Sequence, residues 1–178
     1  MSYHHLALAA KDMRAIHAFY EGVMGFDLVK VEIGPSPGGG WAKLYFYRMG
    51  SASEEAGKSF IAFWEMHDVP GSETFEPNLS RAAGLPDHIN HIAFQARDID
   101  DLNQRRTRWT AAGLDVFEVD HNWCRSVYTR DPNGNLVEFC VTTGTFSDAD
   151  RARAIEALGE TEPHFSPPPA SNQVHRAS

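Results

Sequence analysis

The sequence predicts an α+β protein made of one structural unit used twice. Three observations carry that reading. The stretch His5-Leu6-Ala7-Leu8-Ala9-Ala10-Lys11-Asp12-Met13 recurs as His91-Ile92-Ala93-Phe94-Gln95-Ala96-Arg97-Asp98-Ile99, with His, Ala, Ala and Asp identical at the same offsets. Each copy is followed by the same order of patterns, one helix and then three strands. The bulk composition is that of a globular chain: 178 residues, 42% hydrophobic and 22% charged, suffice for one well-buried domain or two small fused ones.

Each element has a local reason. His5 to Ala9 alternates as a half-buried strand does, with Leu6 and Leu8 on one face and His5, Ala7 and Ala9 on the other. Asp12 is a good N-cap for a helix to about Met24, with Met13, Ile16, Tyr20 and Val23 as its apolar stripe and Gly25 as its stop. Strands are expected over Phe26 to Glu32, Trp41 to Arg48 and Phe60 to Met66, separated by a glycine- and proline-rich loop, Gly34 to Gly40, and a polar turn, Gly50 to Lys58. The first module therefore covers residues 1–70, and 71–87 is a connector with little periodicity.

The second module, 88–145, repeats the plan. Asn90 to Ala96 is a strand, and Asp98 caps a helix through about Ala112 whose inner face carries Ile99, Leu102, Arg106 and Trp109. Leu114 to Val119, Arg125 to Thr129 and Asn135 to Val141 are its three strands, the last two joined by the turn Asp131-Pro132-Asn133-Gly134. Ser147 and Asp150 form a capping box for a further helix, within residues 146–160. Residues 161–178, rich in proline and polar side chains, are expected to be mobile or draped over a neighbour.

A net charge of −8 argues against nucleic-acid and anionic-membrane partners, since both require a basic surface. No apolar run approaches the roughly 18 residues of a membrane span, and no basic-then-apolar signal segment opens the chain. Two cysteines, Cys124 and Cys140, do not make a disulfide framework, so a cytoplasmic protein with reduced thiols is expected.

Four residues stand at corresponding places: His5 and His91 open the two units, and Glu65 and Glu138 lie on each unit's last strand. Alternation turns the histidines away from the helix-packing side. Both glutamates interrupt otherwise apolar strands, where a carboxylate is costly to bury unless paired or metal-bound. Two imidazoles with one or two carboxylates suit a divalent first-row ion. Any one of the four is also readable as an ordinary core or surface residue; their recurrence supports the metal reading. His4 competes with His5, but Asn90 occupies its place in the repeat. A second constellation is local: His121, Tyr128 and Glu138 on adjacent strands. His121 has the chemistry of a proton carrier near neutral pH, and Tyr128 that of a donor to a developing oxyanion. His121 is equally readable as a loop residue beside Asn122, and Tyr128 as core packing.

The doubled strand-helix-three-strand pattern, the opening histidines and the closing Asp131-Pro132-x-Gly134-x-x-x-Glu138 resemble the vicinal oxygen chelate superfamily over roughly residues 3 to 145. That superfamily includes glyoxalase I, fosfomycin-resistance proteins, methylmalonyl-CoA epimerase and extradiol dioxygenases. The resemblance implies a glyoxalase-like fold, two paired βαβββ modules whose curved sheets enclose one metal cleft, and makes a homodimer the expected assembly. Val119-x-His121, five residues, Val127-Tyr128-x-x-Asp131-Pro132-x-Gly134-x-x-x-Glu138 resembles the extradiol dioxygenase motif. It implies iron(II) on His5, His91 and Glu138, with His121 as acid/base and Tyr128 stabilising the oxygenated intermediate of a small aromatic diol. Glu65, with His67 beyond it, stands where that family usually carries a further histidine. A glutamate there resembles glyoxalase I instead, which implies zinc or nickel held by His5, Glu65, His91 and Glu138, with Glu65 or Glu138 shuttling the proton; manganese also suits such donors. A metal-free binding protein of the bleomycin-resistance type is the third expectation.

Overall fold

The computed structural model describes residues 3–50 and 59–177. Two mixed sheets form an α+β, glyoxalase-like fold. The first contains β1 (His5–Ala9), β2 (Asp27–Pro35), β3 (Trp41–Arg48) and β4 (Phe60–His67), in the order β1-β4-β3-β2. The second contains β5 (His91–Gln95), β6 (Val116–Asp120), β7 (Cys124–Arg130), β8 (Leu136–Thr142) and β9 (Ser171–His175), in the order β5-β8-β7-β6-β9. In both sheets the opening strand pairs in parallel with the last strand of its module, and the intervening strands are antiparallel. The expected turn over Gly50 to Lys58 lies, beyond Gly50, outside the described residues.

The caps work as the sequence predicts. Asp12 accepts from the amides of Arg14 and Ala15, and opens α1 (Met13–His17). The helix then widens into a π-helical segment, Ala18–Val23, before Gly25 turns the chain at φ +76°. Asn78 caps a short α2 (Leu79–Ala82) in the connector. Asp98 caps α3 (Ile99–Ala111), and the Ser147–Asp150 capping box opens α4 (Asp148–Ala157), which buries none of its residues. Among the described residues no helix is long and apolar enough to cross a membrane.

Three boundaries differ from expectation. β2 runs on to Pro35, because Gly34 and Pro35 pair with Ala42 and Trp41, and only 36–40 are left as the hairpin loop. At Gly40, φ is +69° and a Cβ would meet the His67 carbonyl within 2.2 Å, so only glycine fits. The connector, read as lacking periodicity, holds α2. The tail, expected to be mobile or draped over a neighbour, supplies β9, an antiparallel fifth strand on β6.

One core spans both halves. Ile16, Phe19, Tyr20 and Phe26 of the first half are buried in the same cluster as Phe94, Trp109 and Phe139 of the second. Phe26 makes edge contacts with Phe94 and Phe139. Arg108 and Arg105 of α3 donate to the carbonyls of Gly22 and Met24, closing the C-terminal end of the π-helical segment. The helix-bearing faces of both sheets are consumed by this core. Their other faces, which carry His5 and His91, stay open: in β1 and β5 both histidines and the alanines two residues on are exposed, while the residues between pack inward.

Candidate functional site

The open face of the second sheet gathers most of the sequence candidates. His91 Nε2 lies 3.3 Å from Glu138 Oε2. Ala93, two residues beyond His91, is the register partner of Glu138, so the parallel pairing of β5 with β8 brings imidazole and carboxylate together. His91 Nδ1 sits 3.2 Å from the Ile89 carbonyl oxygen. A carbonyl only accepts, so this contact places a proton on Nδ1 and leaves Nε2 as the nitrogen that faces Glu138. Nε2 and the carboxylate, which is only 5% exposed, are both of the donor type that divalent first-row ions take. The pair supplies two of the donors a divalent metal needs and requires a third from elsewhere.

Tyr128 is the register partner of Glu138 on β7, and its hydroxyl lies 2.9 Å from His121 Nε2. Burial pushes the Tyr128 phenol well above its usual range, and the Glu138 charge adds to the effect. Tyr128 is therefore a protonated phenol at any physiological pH, available as a donor. His121 follows β6, two residues beyond Val119, and thus shares the face of Phe117 and Val119. His91, His121 and Tyr128 line one cleft of about 910 Å³, whose remaining wall is largely apolar: Leu114, Phe117, Val119, Leu136 and Val174. The expectation that His121 and Tyr128 meet near Glu138 is matched by this geometry. Sequence reading missed the Ile89 carbonyl, which no side-chain motif could reveal, and Val174, hidden in a polar tail.

The first sheet is different. His5 pairs with Phe60, and its ring contacts Phe46. By register its face carries Ala7, Ala62, Trp64 and Met66 of β1 and β4, with Ala42, Leu44 and Phe46 of β3. Glu65 lies on the opposite face. It pairs with Lys43 and stands two residues from Phe63, which packs against Tyr20 of the π-helical segment. The expected grouping of Glu65 with His5 at one metal is therefore corrected by register: neighbours along a strand point to opposite sides. The residue that answers to Glu138 is Ala62, since Ala7 pairs with Ala62 as Ala93 pairs with Glu138. Glu65 is also already satisfied. It accepts from Tyr45 Oη at 2.5 Å and Lys43 Nζ at 3.2 Å, and His67 Nε2 lies at 3.0 Å. Burial raises its carboxyl, but the hydrogen bonds from Tyr45 and Lys43 more than offset this and hold it below the usual carboxylate range. His67 in turn stacks on Trp41 at 3.9 Å between ring centroids.

Within one chain, His5 does not join His91 and Glu138. Both histidines border a groove between β1 and β5, yet no three His, Cys, Asp or Glu side chains among the described residues gather closely enough to hold a metal.

The family model described as the Glyoxalase/Bleomycin resistance protein/Dioxygenase superfamily matches residues 2–139, and the chain belongs to that superfamily. Solved structures show the same fold. A glyoxylase/bleomycin resistance protein/dioxygenase domain from Frankia sp. EAN1pec is 14% identical at a TM-score of 0.58, over 80% of this chain and 98% of that one. Lactoylglutathione lyase from Agrobacterium tumefaciens is 26% identical at a TM-score of 0.50, over 78% and 92%. A variant of the fosfomycin resistance protein FosX from Listeria monocytogenes, complexed with Mn(II) and 1S,2S-dihydroxypropylphosphonic acid, is 19% identical at a TM-score of 0.53, over 83% and 96%. No curated protein matches the chain. The superfamily holds both enzymes and binding proteins.

Proposed function

We propose that this protein is a metal-dependent vicinal oxygen chelate enzyme of the extradiol dioxygenase type, acting on a small aromatic diol. The observation that carries the reading is the set His91, Glu138, His121 and Tyr128 on one sheet face, with Glu65 turned away from His5. That leaves three ligands, His5, His91 and Glu138, the two-histidine, one-carboxylate arrangement that keeps positions open on iron(II). Bound there, the ion would supply chelation of both diol oxygens and the redox capacity to use dioxygen. In this reading His121 takes a proton from the diol and returns it when the ring opens. Its partner at 2.9 Å, Tyr128, donates a hydrogen bond to negative charge developing beside the ligands. The apolar wall of the cleft excludes water from the aromatic ring.

His5 then comes from a second copy of the chain. The open face of the first sheet, apolar at its centre with His5 and the Lys30–Glu32 and Arg48–Asp27 ion pairs towards its edges, suits the cleft side of the partner's second sheet. The cytoplasm, where thiols stay reduced, fits the free Cys124 and Cys140.

Metal analysis of protein purified without chelator, with oxygen uptake on adding catechol, tests the reaction. Bound iron and catechol-dependent uptake support it. A protein that neither carries nor takes up metal overturns it and leaves a binding protein. Mixing inactive His5→Ala and Glu138→Ala proteins tests the assembly. Random re-pairing of an exchanged dimer restores about a quarter of wild-type turnover, because half the dimers then hold one intact site. No recovery means that each chain builds its own site.

A glyoxalase-type lyase or isomerase using zinc or nickel is the second reading, favoured by the 26% identity to a lactoylglutathione lyase. It requires Glu65 or another carboxylate beside His5, and the register of β4 weighs against that. Turnover of a hemithioacetal, lost in Glu65→Gln, would establish it.

A further inference from the structure

The family match ends at residue 139, yet the second sheet has a fifth strand drawn from residues 171–175. We propose that this strand is a wall of the substrate cleft, and that Val174 limits the size of the apolar group a substrate carries at the end remote from its chelating oxygens. The inference deepens the diol reading and rests on it for the identity of the chelating head.

Register makes the argument. Glu138 pairs with Tyr128, Tyr128 with Phe117, and Phe117 with Val174. Cross-strand partners share a face, so these four side chains form one row across the sheet, from the metal-binding end to the edge. Three strand spacings separate Glu138 from Val174, roughly 14 Å. The Phe117 and Tyr128 rings lie 6.4 Å apart along that row. Polar groups crowd its first half, and its second half is apolar and half open, with Phe117 44% and Val174 53% exposed. A ligand matching this row has a chelating ring at one end and a second apolar ring at the other.

The strand is held for the purpose. Alternation points Val174 into the cleft and His175 to the opposite side, where His175 Nε2 meets Glu118 Oε2 at 2.8 Å. Arg176 and the Ala177 amide both bond the Asp115 carboxylate, at 2.6 and 2.9 Å. At the other end the Ala170 amide donates to the Asp120 carbonyl, and Asn122 Nδ2 donates to the Pro168 carbonyl. A strand fixed at both ends fixes the position of its one apolar side chain.

The test compares catechol with 2,3-dihydroxybiphenyl, titrated anaerobically into the iron-loaded protein and followed by tryptophan fluorescence. Val174→Trp should weaken the biphenyl diol at least tenfold and leave catechol within twofold, while Val174→Ala leaves both bound. Equal effects on the two diols, or none, overturn the proposal. If neither diol binds wild-type protein, the diol reading itself has failed. The wall is then read with 8-anilinonaphthalene-1-sulfonate, whose fluorescence should be lost in Val174→Trp and kept in Ile155→Trp on exposed α4. Retention of the dye signal in Val174→Trp, or no signal in wild type, overturns the wall as well.

Discussion

On the second sheet Ala93 follows His91 by two residues and pairs with Glu138; on the first, Ala7 follows His5 by two residues and pairs with Ala62. The two halves thus share a histidine and diverge at the position beside it. The second half kept or acquired a carboxylate, a phenol and another imidazole on that face. The first presents Phe46, Trp64 and Met66 there, and keeps its polar cluster of Lys43, Tyr45, Glu65 and His67 on the other side. A duplicated unit need not duplicate a site: in the function proposed above, one copy would provide the chemistry and the other a single ligand and an apolar cover.

That contrast can be broken most directly at the carboxylate. Glu138→Ala should abolish tight metal binding and reduce turnover more than about a hundredfold, beyond what loss of an outer partner of a ligand costs; metal content by mass spectrometry reads it. Tyr128→Phe comes next. It should leave metal content unchanged and lower kcat by about 10²–10³, the scale of losing one donor to a developing oxyanion. Glu65→Gln sharpens the comparison by its small effect, with metal affinity unchanged and turnover within a few-fold. If metal is lost with Glu65→Gln, the division of labour between the halves is wrong.

The smallest effect is on pH dependence. Burial would raise the Glu118 carboxyl, but hydrogen bonds from Arg106, His175 and Arg125 outweigh it and hold the group below the usual carboxylate range. A lowered native value means that this stabilisation is present above the ordinary carboxylate value and is lost as pH falls through the native one. The melting temperature should fall below about pH 4 in the wild type, and less steeply in Glu118→Gln. A parallel acid profile for the variant would show that other carboxylates set it.

Much of this was legible in the residues. The nine-residue echo located both opening strands, and alternation within it correctly turned His5 and His91 to the open faces. Asp12, Asp98 and Ser147 cap as their side chains dictate. The brief spacing of His121, Tyr128 and Glu138 across tight antiparallel turns left little freedom, and they meet. Glu65 was misplaced because counting from His5 crosses two loops and a parallel pairing, and nothing in a linear count fixes which residue of β4 stands beside Ala7. Strand β9 was unreadable for a related reason. Ser171-Asn172-Gln173-Val174-His175 has one apolar residue and follows a proline run, so its strand character comes from the edge of β6 and the anchors Glu118 and Asp115 rather than from its own propensity.

Phe26 carries a thermodynamic consequence. It leaves the first half to pack on Phe94 and Phe139, while Arg105 and Arg108 reach back to the carbonyls of Met24 and Gly22. Halves joined through one interior cannot melt in turn. The chain should show one calorimetric transition with equal calorimetric and van't Hoff enthalpies, and neither half should fold when expressed alone. Phe26→Ala, at a cost of about 3–5 kcal/mol, should lower that single transition without splitting it. The repeat is doubled in sequence and single in its interior.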